Sequence, residues 1–295
     1  MSLRLAGLGP ELAADLSAVD SLVRSSIEAR PGAAASAALE LLAAGGKRLR
    51  PVLVLLSAQC GPAGIGGGAR AAAAAAAVEL LHMASLVHDD VVDRAWLRRS
   101  RPTVNARFGD AFAVQVGDLL LAQALLMLGS AGIPGGLVVF AEAAAGMAGG
   151  ELAQLGGMGR PRTLGTYLKV IYRKTGLLTG ACCQLGGMAG GLAGHALHSL
   201  AKYGRRLGAS FQVGDDLLDV VGDAGLTGKV PGADRAMAVH TLPGLSHGER
   251  GFEHRARTLS ALLAQAAQRA LVAVPPSPAR QALWDVAEDL PWRTA

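Results

Sequence analysis

The chain has few aromatic residues: Phe, Trp and Tyr together make up 4% of it, and charged residues only 17%. No stretch sustains the alternation of apolar and polar residues that marks a half-buried strand, which excludes a sheet-based fold. No dense Lys/Arg block interleaved with aromatics occurs, and the formal net charge is a mild +5 over 295 residues. Nucleic acid is therefore excluded as a partner, and an anionic small substrate explains the excess. Cysteine is limited to Cys60, Cys182 and Cys183. Two are adjacent and none has metal-ligand spacing, so the expectation is small buried thiols in a reducing, cytoplasmic compartment. No positively charged start leads into an apolar core, and the sequence reads as having no signal peptide. The longest weakly polar run, residues 131–150, is broken by Pro134, Glu142 and several glycines. A membrane span needs about 20 uninterrupted apolar residues, so a soluble protein is expected.

Apolar residues reach 51%, Gly numbers 40, and Ala dominates the apolar set. Ala is the best helix former and lets backbones approach closely, so the composition favours tightly packed helices. Helical periodicity predicts helices over Glu11–Arg30, Ala34–Ala44, Pro51–Cys60, Ala69–Val92, Thr103–Phe108, Asp110–Leu128 and Leu137–Leu155. It continues over 163–175, 177–191, 196–221, Phe252–Ala273 and Ser277–Leu290, with a long loop at Gly222–Gly248. No linker separates two composition regimes. The whole of 1–295 is expected to be one all-α domain.

Two clusters carry the chemistry: Asp89-Asp90-Val91-Val92-Asp93 and Asp215-Asp216-Leu217-Leu218-Asp219. Residues four apart share a helix face, so Asp89 projects with Asp93, and Asp215 with Asp219. Grouped carboxylates on apolar helices are costly unless a cation joins them. Mg²⁺ takes one or two carboxylates and completes its shell with water and phosphate oxygens. Two such clusters facing one cavity would clamp a diphosphate, with Asp89, Asp90, Asp93, Asp215, Asp216 and Asp219 as the metal-ligating set. Gly45-Gly46-Lys47-Arg48-Leu49-Arg50-Pro51 is either an anion site or a helix C-cap with dipole-complementing cations. Arg98-Arg99 is either a phosphate grip or a solvated charged turn, and Lys174-Thr175 either a site pair or ordinary capping. His82 precedes Asp89 by two helical turns and lies on nearly its face.

The ordered array GGKRLRP, ELLHMASLVHDDVVD, RRSRPT, GD near 117, KT at 174, FQVGDDLLD and GK at 228 resembles the trans-isoprenyl diphosphate synthases, or polyprenyl synthetases. The match spans about residues 40–230 and extends to the last helices. The resemblance implies an all-α bundle around a deep central cavity, usually a homodimer, and head-to-tail condensation of isopentenyl diphosphate with an allylic diphosphate. It implies Mg²⁺, as three ions with bound diphosphate. It gives catalysis to Asp89, Asp93, Arg98, Lys174, Asp215 and Lys229, and isopentenyl diphosphate binding to Lys47, Arg50, His82 and Arg99. Thr175 and Gln212 join Arg98, Lys174 and Lys229 on the allylic side. Leu81, Ala84 and Ser85, near one turn before Asp89, are the chain-length positions. Ala84 and Ser85 are small, which predicts an open tunnel and a long product, and a long product implies transient contact with a membrane surface.

The family usually has a second Lys before Thr-Leu-Pro in the loop after the second cluster. Here Val239 stands there, with His240 beside it, and the stretch to Phe252 is short. That departure leaves a weakly active subunit of a heteromeric synthase as an alternative. A cyclising lyase is the other; it would not need Lys47, Arg50, His82 and Arg99.

Overall fold

Seven consecutive alanines, Ala71–Ala77, fix the character of the longest apolar helix, because small side chains let neighbours approach from every side. In the computed structural model, which describes residues 10–62, 68–157, 163–221 and 251–292 (side chains of 219–221, 252 and 292 excepted), this helix is central. The elements are α1 (Pro10–Glu28), α2 (Ala33–Ala43), α3 (Leu49–Gln59), α4 (Gly68–Val92), β1 (Leu97–Arg98), β2 (Arg101–Pro102) and α5 (Val104–Phe108). There follow α6 (Asp110–Ser130), α7 (Gly136–Leu155), α8 (Leu164–Ile171), a π-turn (Tyr172–Gly176), α9 (Leu177–Ala189), α10 (Gly194–Val221), α11 (Phe252–Leu271) and α12 (Pro278–Asp289).

The all-α expectation holds, with boundaries displaced by one or two residues. Thr103 and Ser277 cap α5 and α12 by accepting from Ala106 N and Arg280 N. Two details differ. Two-residue strands pair Leu97 with Pro102 and Arg98 with Arg101. They escaped the periodicity reading because so short a pair has no period. Second, residues 164–189 form one helix through a π-turn, not two separate helices. The expected loop at 222–248 lies outside the described residues.

Helices α3, α4 and α9 form the centre. Leu53 and Val54 of α3, Ala74–Val78 of α4, and Cys182, Cys183 and Leu185 of α9 have no solvent exposure. Glycine permits that crowding. A β-carbon at Gly186 would overlap the Val54 carbonyl, and one at Gly204 would overlap Thr179 O, so α9 meets α3 and α10 backbone to backbone. The three cysteines are buried and unbridged, as expected.

Helices α4, α6 and α7 are each long and apolar enough to cross a membrane by length and composition. Their apolar stretches are 67%, 39% and 22% buried, so α6 and α7 present apolar faces that the described residues do not cover.

Candidate active site

Helix α4 ends where its aspartates begin. Asp93 N donates to Asp89 O, Arg94 N to Val91 O and Ala95 N to Asp90 O, with Arg94 left-handed at φ 50°. This six-to-one and five-to-two pairing is a Schellman close, in which glycine is the usual left-handed residue. Asn105 Nδ2 donates to Asp90 O at 3.3 Å and Ala95 O at 3.2 Å, holding the exit. The chain then makes the β1–β2 hairpin, whose two loop residues, Arg99 (φ 50°) and Ser100 (φ 59°), are both left-handed. That is the two-residue turn matching strand twist, built without its usual Asn or Gly. The described non-glycine residues at positive φ are Arg48, Arg94, Arg99 and Ser100. All flank the first aspartate motif or the basic loop, and such strain is retained where structure over-determines it.

The hairpin returns Arg98 onto Asp90. Nε donates to Oδ1 at 2.9 Å and Oδ2 at 3.1 Å, and Nη2 lies 2.8 Å from Oδ1. Asp90 is 4% exposed. Both Asp90 oxygens accept from Arg98, a pairing that the sequence reading did not anticipate. Much of the Arg98 charge is in turn compensated before any substrate arrives.

Basic groups from three segments meet beside it. The Arg99 guanidinium packs over Gly46, its nitrogens 3.2 and 3.3 Å from where a β-carbon would stand. Burial and the neighbouring Arg98 and Arg48 charges lower the Arg99 pKa. His82 is pushed well down by burial first, then by Arg50, Arg98, Arg99 and Arg48, so it is neutral among arginines. Arg50 Nε is buried without a partner. Arg48 has different work: it lies 2.7 Å from Glu79 Oε1 and 3.0 Å from Asp20 Oδ1. Thus Arg48 anchors the loop, while Arg50, His82 and Arg99 converge with an orphaned donor, as an anion site requires. Lys47 lies in the same loop between α2 and α3.

The π-turn joins this region to the second motif. Lys174 Nζ lies 2.6 Å from Glu151 Oε2. Burial alone would lower the Lys174 pKa, but Asp89, Glu151 and Asp93 together raise it. Burial pushes Asp89 up to about 6; Lys174 opposes this, while Glu151 and Asp93 add to it. The next residue, Thr175, donates from Oγ1 to Gln212 Oε1 at 2.8 Å, and Gln212 Nε2 donates to Asp216 Oδ1 at 3.0 Å. Tyr167 OH donates to Asp216 Oδ2 at 2.6 Å. Asp216 is 7% exposed and, like Asp90, turned inward. In both motifs the second acid is held by groups from distant segments, Asp90 by Arg98 and Asp216 by Tyr167 and Gln212. The Asp219 side chain and Lys229 lie outside the described groups.

Asp89 and Asp93, four apart on one helix face, suit Mg²⁺. Among the described residues no three acids, histidines or cysteines close a cage. Mg²⁺ needs none, since it keeps waters and phosphate oxygens around one or two carboxylates. Burial is the main cause of the raised Asp89 pKa, and a bound cation would favour its charged form.

Glu151 was missed by the sequence reading. Its signal was available: it and Glu142 are the acids of an otherwise apolar, glycine-rich α7. A β-carbon on Gly150 would crowd Lys174 N at 2.9 Å, so this glycine lets α7 approach the π-turn. Among the chain-length positions, Ser85 lies one turn below Asp89 and is half-buried, its Oγ donating to His82 O at 2.8 Å. Ala84 and Leu81 are 2% and 5% exposed. Ala84 shares the face of His88, which packs on Gly117 of α6, and is therefore turned away from Asp89.

Comparison with known proteins agrees. Residues 33–273 match the model of the polyprenyl synthetase family. The chain is 42% identical over 233 residues to heptaprenyl diphosphate synthase component 2 of Geobacillus stearothermophilus, covering 79% of this chain and 72% of that one. It is 36% identical to nonaprenyl diphosphate synthase of Mycobacterium tuberculosis, covering 78% and 68%. The decaprenyl diphosphate synthase structure from Rhodobacter capsulatus superposes with TM-score 0.84 at 32% identity, over 96% of this chain and 97% of that one. A polyprenyl synthase from Caulobacter crescentus, complexed with calcium and isoprenyl diphosphate, superposes with TM-score 0.86 at 30% identity, over 96% of both. An all-α fold, two aspartate motifs on either side of one π-turn and a match over most of its length place this chain in the polyprenyl synthetase family, as a trans-prenyltransferase.

Proposed function

We propose that the protein condenses isopentenyl diphosphate head-to-tail with an allylic diphosphate and makes a long trans-polyprenyl diphosphate. One observation supports the reading: of two consecutive residues, Lys174 pairs with Glu151 within electrostatic reach of Asp89 and Asp93, and Thr175 is linked through Gln212 to Asp216, beside a separate basic cluster. The aspartate pairs take the allylic diphosphate; Arg50, His82 and Arg99, with Lys47, take the isopentenyl diphosphate. Bound Mg²⁺, held by Asp89, Asp93 and Asp215 and proposed as three ions, supplies charge neutralisation for the leaving diphosphate. Lys174 places fixed positive charge where negative charge develops. Apolar walls exclude water from the allylic cation. The separate basic cluster disfavours a cyclase, which handles one diphosphate. Long-chain relatives and small groups near Asp89 support a long product.

We also propose a homodimer formed through α6 and α7. Their exposed faces include Leu126 (56%), Val138 (60%) and Leu152 (68%), and patches of this kind are normally covered. The same faces would suit membrane-surface contact during product release, and the buried thiols support a cytoplasmic location. Purified protein incubated with isopentenyl diphosphate, farnesyl diphosphate and Mg²⁺ tests the activity. Chain-extended products support it, hydrocarbons point to a lyase, and no turnover points to a heteromeric subunit. Light scattering tests the dimer: Leu126→Glu should give monomers, and an already monomeric wild type removes the proposal.

A further inference from the structure

Trp96 opens the β1–β2 hairpin and is the most exposed large apolar side chain among the described residues, at 74%. Its carbonyl accepts from Thr103 N at 3.1 Å. Leu97 beside it is 62% exposed, and Val92, which ends α4, is 39% exposed. Leu97 pairs with Pro102, and Arg98 with Arg101. Successive strand residues point to opposite faces, and Arg98 turns to Asp90, so Leu97 and Pro102, both exposed, form the outer face. The inner side is tied down by Arg98 on Asp90 and by Thr103 Oγ1 donating to Ala95 O at 2.7 Å. The hairpin therefore holds its apolar groups in solvent, where such groups are usually scattered singly.

The charge around them has one sign. Residues 94–102 contain Arg94, Arg98, Arg99 and Arg101 and no acid. Arg98 is taken by Asp90, and Arg99 belongs to the basic cluster over Gly46. Arg94 and Arg101 are exposed and form no ion pair among the described residues. An exposed indole with aliphatic neighbours and flanking guanidiniums suits a bilayer surface. Trp seats at the membrane–water interface, its ring apolar and its N–H wet, and arginine attracts anionic headgroups.

We propose that this hairpin docks the protein on an anionic phospholipid surface, with Trp96 and Leu97 entering the headgroup layer and Arg94 and Arg101 meeting lipid phosphates. The hairpin follows Asp93 directly, so docking brings the first aspartate motif near the layer where a bilayer-anchored allylic diphosphate holds its phosphates. The proposal deepens the membrane contact considered above. The dimer would cover α6 and α7, and the hairpin belongs to neither. It rests on the prenyltransferase reading for its use, not for the binding itself.

Co-sedimentation of the full chain with vesicles tests this. Wild type should bind vesicles of equal parts phosphatidylglycerol and phosphatidylcholine about tenfold more tightly than phosphatidylcholine alone, because headgroup attraction adds to buried apolar area. Trp96→Ser combined with Leu97→Ser should weaken that binding about tenfold, and Arg101→Glu about fivefold at low salt. Val272→Ser removes an apolar group that is 71% exposed outside the hairpin, and it should bind as wild type does. Emission from Trp96, one of three tryptophans, should move to shorter wavelength on anionic vesicles, and the double variant should lose that shift. Should the double variant melt early, Arg101→Glu alone decides. Absence of wild-type binding, indifference to lipid charge, unweakened variants or an equal loss with Val272→Ser overturns the proposal. Extended product is assayed separately. Wild type that makes none sinks the prenyltransferase reading, while vesicle binding still decides the hairpin.

Discussion

Lys174 and Thr175 are neighbours in one π-turn but are held by opposite sides of the site: the ammonium 2.6 Å from Glu151 of α7, the hydroxyl 2.8 Å from Gln212 of α10. The π-turn makes this possible. It inserts a residue into the 164–189 helix, which shifts the faces presented after it relative to those before it. Both motifs therefore stand in a fixed relation to one backbone segment.

Glu151→Gln removes the carboxylate that holds Lys174. The ammonium should swing to Asp89 and compete with the cation there. We expect turnover to fall about tenfold and half-saturating Mg²⁺ to rise, the loss of a charged hydrogen bond being worth about 1.5–3 kcal/mol. Kinetics across a Mg²⁺ titration check it; an unchanged requirement would detach Glu151 from the site.

Arg48 and Arg50 should fail differently. Arg48→Ala leaves Glu79, 5% exposed, without its ion-pair partner, and breaking a buried pair costs about 3–5 kcal/mol. Arg50→Ala removes a guanidinium whose Nε has no partner. Denaturant melts should show the first variant destabilised and the second near wild type. Isopentenyl diphosphate KM should rise for Arg50→Ala by about tenfold, the loss of about one charged contact.

The pH dependence follows from Asp89, which burial pushes up to about 6. The folded state holds this proton more tightly than the unfolded chain, whose carboxyl titrates near about 3.9. Metal-free stability contributed by this group is therefore greatest below about pH 4 and declines as pH rises to about 6. Asp89→Asn should raise the metal-free Tm at pH 7 by about 2–4 °C and leave it unchanged at pH 4. The same variant should lower turnover about 100-fold or more, because the charge opposite the leaving group is lost. Calorimetry at the two pH values and an activity assay test both parts.

Product length should answer to Ser85 before Ala84. Ser85 is half-buried one turn below Asp89, and Ala84 is sealed toward α6. Chromatography should find products shortened by one or more isoprene units for Ser85→Phe. Ala84→Phe should mainly destabilise, overpacking costing about 1–3 kcal/mol. Unaltered products from Ser85→Phe would remove the tunnel argument.

Much of the site was legible locally. Asp89 and Asp93, like Asp215 and Asp219, are four apart, and that spacing within an apolar helical run needs no tertiary information. The helices were legible for the same reason, since Ala-rich periodicity and Gly/Pro breaks are short-range signals. Asp90 and Asp216 were not. Nothing within a few residues distinguishes them from their neighbours, and what turned them inward was Arg98 returning on a hairpin and Tyr167 arriving from α8.

The sequence by itself determined an all-helical chain, the positions of its two acidic motifs and the basic loop, because each follows from spacing along a single element. Tertiary structure alone decided which acids are braced by distant groups, that Arg48 pairs with Glu79 and Asp20 while Arg50 Nε is buried without a partner, and that Glu151 meets Lys174. Those outcomes depend on the packing of segments far apart in the chain. Burial there decides which charge must be paired, and local sequence does not encode burial.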